Sequence, residues 1–262
     1  MVSLSLKWSE SNIKEVVQVK AAGISHIGNI RTNNEDAYYL NEQHNLIAVA
    51  DGMGGHKAGE IASSIAIEAI KSLIAIKDQH AIMPAEVFRK VFSEANQRIW
   101  NKAHDTEDCK GMGTTLTSAW IVEDLAYVAH VGDSRAYLIH DGRIRQVTRD
   151  HTLVEELIKN GSIDRESALS HPQKNVLMKA VGADDGISPD LHEIEVYEGD
   201  IILLCSDGLT HYLKDFEIAD LLSKETTLEA SLNLMTELAL ERGGADNITA
   251  VAIRIDKLGG DR

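Results

Sequence analysis

The sequence has few of the features that stabilise secreted, membrane-bound or fibrous proteins. It contains two cysteines, Cys109 and Cys205, and no CxxC or Cys/His cluster, which excludes a disulfide framework and a thiolate zinc site. Cys205 lies in the apolar run 201–205, so we expect a buried thiol there. Three prolines, no low-complexity tract and no repeat of fixed period leave no linker. A single domain over residues 1–262 is therefore the simplest division.

Long apolar segments are also missing. The first twenty residues include Lys7, Glu10, Lys14 and Glu15 and contain no apolar stretch of signal-peptide length. No later run approaches the roughly 18 apolar residues of a transmembrane helix. We therefore expect a cytoplasmic protein that does not cross a membrane.

Positive charge is scarce, with 26 lysines and arginines against 41 aspartates and glutamates, for a formal net charge of −15. A chain this acidic is a poor partner for nucleic acid or anionic lipid, so we expect neither. A phosphorylated substrate would need cations at its binding site to reverse the local charge. The hydrophobic content of 44% over 262 residues is enough for a full core.

Hydrophobic patterning predicts strands in runs and helices in pairs. Asp141-Gly142 indicates a hairpin to the run 143–147, and Glu123-Asp124 indicates a second turn. Apolar and β-branched segments predict strands over residues 17–25, 45–50, 114–122, 126–131, 135–140, 201–206 and 248–255.

Helical periodicity covers residues 58–76 with 84–104, and 215–223 with 228–241. Thr152, with Glu155 three residues on, predicts a capped short helix near 153–160. Strands in runs and helices in pairs indicate an α+β fold in which antiparallel sheets are covered by helix pairs.

Three of the predicted strands run directly into an aspartate in a glycine-containing turn, at Asp51, Asp133 and Asp207, and Asp246 stands just before the last strand. Any one of these is typical of an ordinary turn. If the strand ends converge on one edge, however, the four carboxylates would repel one another or bind protons. All-oxygen ligands suit magnesium or manganese better than zinc or copper. The sequence therefore predicts a divalent cation site at that edge.

Arg31 offers a planar charged fork that can bind two phosphate oxygens at once. It precedes the acidic pair Glu35 and Asp36 by four residues, so a surface ion pair is an equal alternative. The glycine-rich stretch 51–60 fits neither the P-loop nor GxGxxG, because its spacing differs and no Ser or Thr follows Lys57. A kinase or NTPase is therefore disfavoured, and the glycines instead let backbone such as the Gly52 carbonyl approach a metal.

Six motifs together resemble those of the type-2C, metal-dependent serine/threonine protein phosphatases, above all the compact bacterial members. The ordered set is specific although no single motif is, and it covers roughly residues 20–256, leaving 1–19 as an N-terminal extension. The motifs are 31–37 (RTNNEDA), 49–60 (VADGMGGHKAGE), 111–117 (GMGTTLT), 130–137 (HVGDSRAY), 205–209 (CSDGL) and 244–249 (GADNIT).

This resemblance implies a sandwich of two antiparallel sheets flanked by helices, with a metal centre in a cleft at one end of the sheets. By motif position, Asp51 would bridge two Mn(II) or Mg(II) ions, with the Gly52 carbonyl, Asp207 and Asp246 as further ligands. Asp133 would join Asp207 in holding a third, weaker cation.

The resemblance also implies the remaining roles. Asp36 would hold metal-bound water with Glu35 beside it, Arg31 would bind the substrate phosphate, and Asn247 would support Asp246. That water would attack phosphorus directly, without a phosphoenzyme intermediate. Phosphoserine and phosphothreonine proteins are the implied substrates, a cognate serine/threonine kinase is the implied partner, and we expect a monomer.

One position departs from the family pattern. Animal relatives often carry a histidine where this chain has Met53, and that histidine is a candidate proton donor to the leaving group. His56 is an alternative donor, but an isolated histidine beside a metal loop is more often structural, so a metal-bound water is preferred. Residues 160–191 resemble the variable flap of the family, where substrate choice would be made, although their composition also fits an ordinary surface loop.

Two other functions compete with this interpretation. A degenerate phosphatase that binds phosphoproteins without hydrolysing them would lack a metal aspartate, whereas Asp51, Asp207 and Asp246 are all present. A calcium-stabilised structural domain would need no Arg31, and the DxDxDG calcium loop is absent. The sequence therefore favours an active, metal-dependent phosphatase.

Overall fold

The computed structural model describes residues 17–54, 58–72, 83–224 and 227–259. In chain order its strands are β1 (Gln18–His26), β2 (Asp36–Asn41), β3 (Leu46–Met53), β4 (Gly113–Thr114), β5 (Leu116–Val122), β6 (Leu125–Val131), β7 (Arg135–His140), β8 (Arg143–Gln146), β9 (Asp190–Glu195), β10 (Ile201–Cys205) and β11 (Ile248–Lys257). The helices are α1 (Ala58–Ser72), α2 (Pro84–Asp105), α3 (Leu153–Lys159), α4 (Arg165–Leu169), α5 (Asp207–Thr210), α6 (Asp215–Lys224) and α7 (Leu228–Glu241).

The strands form two antiparallel sheets. One sheet has the order β1-β11-β10-β7-β8, and the other has the order β2-β3-β5-β6-β9, with β4 paired to β3. Short turns join β5 to β6 and β7 to β8, as expected for antiparallel neighbours. Both turns place a non-glycine residue, Glu123 or Asp141, in the left-handed region.

Three apolar layers hold the sheets and helices together. In β3, Leu46, Ala48 and Ala50 pack against α1 and α2, whereas Ile47 and Val49 face the other sheet. Successive side chains of a strand point to opposite faces, so a strand buried on both faces is apolar throughout. A third cluster packs α5, α6 and α7 on the other sheet. The predicted α+β fold with α-β-β-α layers is confirmed.

Most predicted elements appear within a few residues of their expected bounds. Residue 152 caps α3 as predicted, because the Thr152 hydroxyl accepts a hydrogen bond from the Glu155 amide. The Glu155 carboxylate, however, accepts a hydrogen bond from Arg149 at 3.0 Å instead of completing a capping box. Of the first predicted helix, residues 73–76 lie outside the described residues. Among the helices described, none is long and apolar enough to cross a membrane.

Several elements differ from the prediction. The strand expected over 45–50 continues to Met53, so Asp51 lies inside β3 and not in a turn after it. Neither β2 nor β9 was expected as a strand, because both are half-exposed edge strands: β2 is short and bounded by polar residues, and the apolar residues of β9 are interrupted by charged ones. The segment 160–191 also contains a helix, α4, which begins at an Asp164 cap.

Candidate metal centre

Five aspartates meet at one end of the sandwich, and we call them the aspartate cluster. Asp36 opens β2 and lies opposite Asp51 of β3 in the sheet register. Asp133 lies in the turn between β6 and β7, and Asp207 begins α5 directly after β10. Asp246 lies two residues before β11. Strands from both sheets thus bring together residues that are up to about 200 positions apart in the sequence.

The pKa values of the cluster reflect its crowding. Burial raises the pKa of Asp36 to about 7, and repulsion from Asp207 and Asp246 adds to that shift. Burial raises the pKa of Asp133 to about 8, with Asp207 again contributing. The pKa of Asp51 lies well above its ordinary value because of burial, Asp36 and Asp207. These residues keep some solvent exposure, but protein atoms surround their carboxyl groups, so a cation is needed for all of them to ionise together.

One carboxylate oxygen of Asp36 has no hydrogen-bond partner among the described residues. Its Oδ2 accepts a hydrogen bond from the Ser206 hydroxyl at 2.8 Å, whereas its Oδ1 is buried and has no hydrogen-bond partner among the described residues. An unsatisfied buried oxygen of this kind costs free energy. The site therefore suits a ligand that provides positive charge or donates a hydrogen bond.

Close backbone contacts at the end of β3 require glycine. A Cβ on Gly52 would collide with the carbonyl oxygen of Gly59 and lie 2.6 Å from that of Glu35. A Cβ on Gly208 would likewise collide with the carbonyl oxygen of Asn247. The chain segments around the cluster therefore approach more closely than side chains would allow, which leaves backbone oxygens beside the carboxylates.

Two threonines hold the backbone of Asp51. The Asp51 amide donates to the Thr115 hydroxyl at 2.9 Å, and the Thr115 amide donates to the Asp51 carbonyl at 2.9 Å. The Thr114 hydroxyl donates to the same carbonyl at 2.9 Å. Thr115 also shares a 2.7 Å hydrogen bond with Ser134, the neighbour of Asp133. The motif 111–117 thus fixes the position of Asp51 relative to the Asp133 turn.

Asn247 joins the start of β11 to the loop that carries Arg31. Its side chain donates to the carbonyls of Ile27 and Asn33 at 2.9 and 3.0 Å and accepts from the Glu35 amide at 2.8 Å. Its own amide donates to Asp246 Oδ1 at 2.8 Å. Asn247 therefore contacts Asp246 through its backbone, while its side chain organises the neighbouring loop.

Arg31 lies beside the cluster and forms an ion pair with Asp246. Its Nη2 donates to Asp246 Oδ2 at 2.8 Å, and the two side chains are 49% and 33% exposed. Arg31 therefore does form an ion pair, as one of the two predictions for it stated, but its partner is Asp246 and not Glu35 or Asp36. A pair this exposed contributes little to stability, so it can be exchanged for another anion.

The protein phosphatase 2C family model matches residues 22–250. The chain belongs to this family. The serine/threonine phosphatase stp of Listeria monocytogenes is 37% identical over 236 residues, which are 87% of this chain and 93% of the relative. The crystal structure of the Mycobacterium tuberculosis serine/threonine phosphatase PstP/Ppp superposes with a TM-score of 0.85 at 36% identity, over 91% of this chain and 99% of that one.

The catalytic domain of PstP in complex with two manganese ions superposes with a TM-score of 0.84 at 34% identity, over 92% of this chain and all of that one. The expected family and enzyme class, a protein serine/threonine phosphatase, are confirmed. The similarity to bacterial phosphatases agrees with the prediction of a compact bacterial member.

The donor set of this phosphatase fits a hard divalent cation, since it consists of carboxylate and carbonyl oxygens. Among the described residues, no three His, Cys, Asp or Glu side chains are arranged so that they alone could hold one metal ion. Asp246 is turned toward its ion pair with Arg31, and this explains why its carboxylate is not grouped with the other candidate ligands. Ligation by Asp51 and Asp207 would therefore also need the Gly52 carbonyl, water, or release of Asp246 from Arg31.

The phosphatase also contains site features that the sequence did not predict. His211 Nδ1 lies 3.6 Å from Asp207 Oδ2 and offsets part of the rise in the pKa of Asp207 that burial causes. Their i,i+4 spacing is the signal that could have revealed the pair. Arg135, two residues after Asp133, contacts Asp150 with Nε and Nη2 at 2.7–3.0 Å. His56, the alternative proton donor, lies outside the described residues.

Proposed function

We propose that this phosphatase hydrolyses phosphoserine and phosphothreonine esters of proteins by a metal-dependent attack of water on phosphorus. The observation that carries the proposal is the aspartate cluster, in which burial and mutual repulsion raise the pKa of Asp36, Asp51 and Asp133. A phosphate dianion would be repelled by such a cluster unless bound cations reversed the charge of the cluster.

The proposed ligands of two Mn(II) or Mg(II) ions are the carboxylates of Asp51, Asp207 and Asp246 and the carbonyl of Gly52. Asp133 and Asp207 would hold a third, weaker cation. The two manganese ions bound by the related PstP domain support this number of tight sites. Bound cations would supply Lewis acidity that lowers the pKa of water and would neutralise charge on the phosphoryl oxygens.

Asp36 is proposed to orient the attacking water. Its Oδ1 is buried without a hydrogen-bond partner, while Ser206 fixes the other oxygen at 2.8 Å. The free lone pairs of Oδ1 can therefore accept a hydrogen bond from that water and fix its orientation. Glu35, the preceding residue, has a raised pKa because of burial and lies beside the glycine at position 59.

Arg31 is proposed to bind the phosphate of the substrate. Its side chain is half exposed and uses one nitrogen for Asp246, so the rest of its fork can meet an incoming dianion. Arg31→Ala should raise KM more than it lowers kcat, because this contact is already made in the ground state. Arg31→Lys should recover part of the loss, since lysine restores the charge but not the fork. Unchanged kinetic constants would leave Arg31 as a surface ion pair.

The departing serine or threonine alkoxide must receive a proton. Met53 cannot provide one, so a water held between Asp133 and Asp207 is the proposed donor. The two carboxylates line the same cleft, and repulsion between them contributes to the raised pKa of Asp133.

The proposal is tested by assaying phosphoserine, phosphothreonine and phosphotyrosine peptides with manganese, with magnesium and with chelator. We expect hydrolysis of the first two peptides with either metal and none after chelation. Full activity in chelator would overturn the metal-dependent mechanism. Metal-dependent peptide binding without hydrolysis would instead indicate a phosphoprotein-binding pseudophosphatase. A cognate kinase, a monomeric state and a cytoplasmic location remain predictions.

A further inference from the structure

A cleft of about 490 Å³ lies between the flap and the aspartate cluster, and we call it the flap cleft. Asp133 and Asp207 line its inner side. Its outer side is formed by flap residues that include Arg165, Leu169 and Lys174. A substrate whose phosphate reached the cluster would therefore pass its neighbouring residues across this cleft.

The flap is joined by hydrogen bonds to the turn that carries Asp133. The Leu153 amide donates to the Val176 carbonyl at 2.9 Å, and the Met178 amide donates to the His151 carbonyl at 2.8 Å. His151 in turn exchanges two hydrogen bonds with Gly132, through its amide at 2.7 Å and through Nδ1 at 3.1 Å. The flap cleft is thus formed in the folded protein, with its outer side held in a defined position relative to Asp133.

Two cations on the outer side of the cleft are weakly paired or unpaired among the described residues. Glu155, which also lines the cleft, accepts a hydrogen bond from Arg149 at 3.0 Å, so its charge is already compensated. Arg165 is 83% exposed and reaches Glu155 only at 3.8 Å. Lys174 is exposed, and no carboxylate lies within 4.0 Å of its ammonium group among the residues that the structure describes. In a chain of net charge −15, these two groups make the outer side of the cleft locally basic.

We propose that the flap cleft binds residues flanking the phosphorylated side chain and selects acidic ones, an inference that rests on the proposed function. An extended peptide advances about 3.4 Å per residue, so residues within about three positions of the phosphoresidue fall within reach of the cleft. A glutamate or aspartate there meets Lys174 and Arg165, whereas a lysine there is repelled by both. The preferred substrate is thus a phosphoserine or phosphothreonine segment with acidic neighbours.

The test uses three phosphothreonine peptides that are identical except for glutamate, glutamine or lysine at the positions flanking the phosphoresidue. For the wild-type protein with manganese, we expect kcat/KM to be about fivefold higher for the glutamate peptide than for the glutamine peptide, and lowest for the lysine peptide. The preference should weaken at high salt, because the charges are exposed. Equal values for the three peptides would overturn the proposal.

Charge reversal identifies the residues responsible. Lys174→Glu combined with Arg165→Glu should invert the order of the peptides, and the milder Lys174→Gln should reduce the glutamate preference without inverting it. Lys159→Glu is the control for each single reversal, since it makes the same charge change as Lys174→Glu or Arg165→Glu alone, on α3 at an exposed residue that does not line the cleft. An order that stays the same in the double variant, or that changes equally in the control, would reject the assignment.

Binding of the same peptides, measured by fluorescence anisotropy, separates this inference from the proposed function. Acidic selectivity in binding without turnover of any peptide would reject the hydrolytic function and retain the cleft. Metal-dependent turnover without selectivity would reject the cleft and retain the function. Melting curves of each variant show whether a loss comes from unfolding.

Discussion

Two groups of carboxylates are shielded from solvent in this protein, and they differ in whether a cationic side chain lies beside them. Asp150 is 11% exposed and accepts hydrogen bonds from Arg135 and, at 3.0 Å, from Gln146. Asp200 is 3% exposed and contacts His140 at 2.6 Å. By contrast, the described residues place no lysine or arginine within 4.0 Å of Asp36, Asp51 or Asp133.

The difference shows that this fold can give a shielded carboxylate a cationic partner, as it does for Asp150 and Asp200, but does not do so for Asp36, Asp51 and Asp133. Arg135 lies two residues from Asp133, yet its hydrogen bonds go to Asp150 and Tyr137. A carboxylate with a cationic partner is stabilised in its charged form, whereas crowded carboxylates without one favour protonation. The cluster thus lowers stability at neutral pH, and its charge would be compensated by the cations proposed above.

The largest expected effect is on activity when the cluster is changed. Asp51→Asn, Asp207→Asn or Asp246→Asn should each lower kcat at least about a thousandfold, about 4 kcal/mol, because a neutral amide binds a cation weakly. In chelator, Asp51→Asn should be as stable as the wild type or more stable, since it removes a repelled charge. Steady-state kinetics and melting curves measure both effects. A wild-type rate would remove that residue from the site.

A loss of folding stability is expected when Asp150 is changed. Asp150→Asn leaves Arg135 with a neutral partner, so the free energy of unfolding should fall by about 3 kcal/mol with or without metal. Urea denaturation measures this loss. Asp220→Asn is the control, because its ion pair with Lys224 is exposed and should contribute less than about 1 kcal/mol. Equal effects of the two substitutions would contradict the claim that the shielded Asp150 depends on its cationic partner.

The stability of the chelated protein should fall as pH rises from about 5 to 8. The folded-state pKa values of about 7 for Asp36 and about 8 for Asp133 exceed those of the unfolded chain. Such groups contribute stability that is fully present below pH 4 and is lost as pH rises through the folded pKa, at up to about 1.4 kcal/mol per pH unit per group. Melting curves at several pH values should show the loss, and manganese should reverse it. Stability that rises over this range in chelator would contradict the assigned shifts.

The smallest effect is expected for Asp133. If Asp133 helps to hold the water that protonates the leaving group, Asp133→Ala should retain two tight metals. Its loss of activity should be about tenfold greater on a phosphothreonine peptide than on an activated aryl phosphate, whose leaving group needs little protonation. Titration calorimetry counts the metals, and paired assays measure the selectivity. An equal loss on both substrates would assign Asp133 to the main centre.

Local patterns were sufficient for much of the fold. The strands 135–140 and the helix 228–241 appear with the predicted bounds, because their apolar residues face a core in a regular period. The edge strand β9 carries exposed charged residues, and β2 is a six-residue strand that begins at Asp36 of the aspartate cluster, so neither gave such a signal. The segment 160–191 was expected as a loop-like flap, but α4 and the first residues of β9 lie inside it.

The family, the layer architecture and the candidate ligands could be predicted from the sequence, because each depends on residue types and on short or ordered spacings along the chain. Three features became visible only in the folded chain: Asp36 lies opposite Asp51, Arg31 pairs with Asp246 across 215 positions, and the flap faces Asp133. Ion pairs and pKa shifts depend on distances between groups far apart in the sequence and on the water excluded between them. Those distances exist only once the two sheets have packed together.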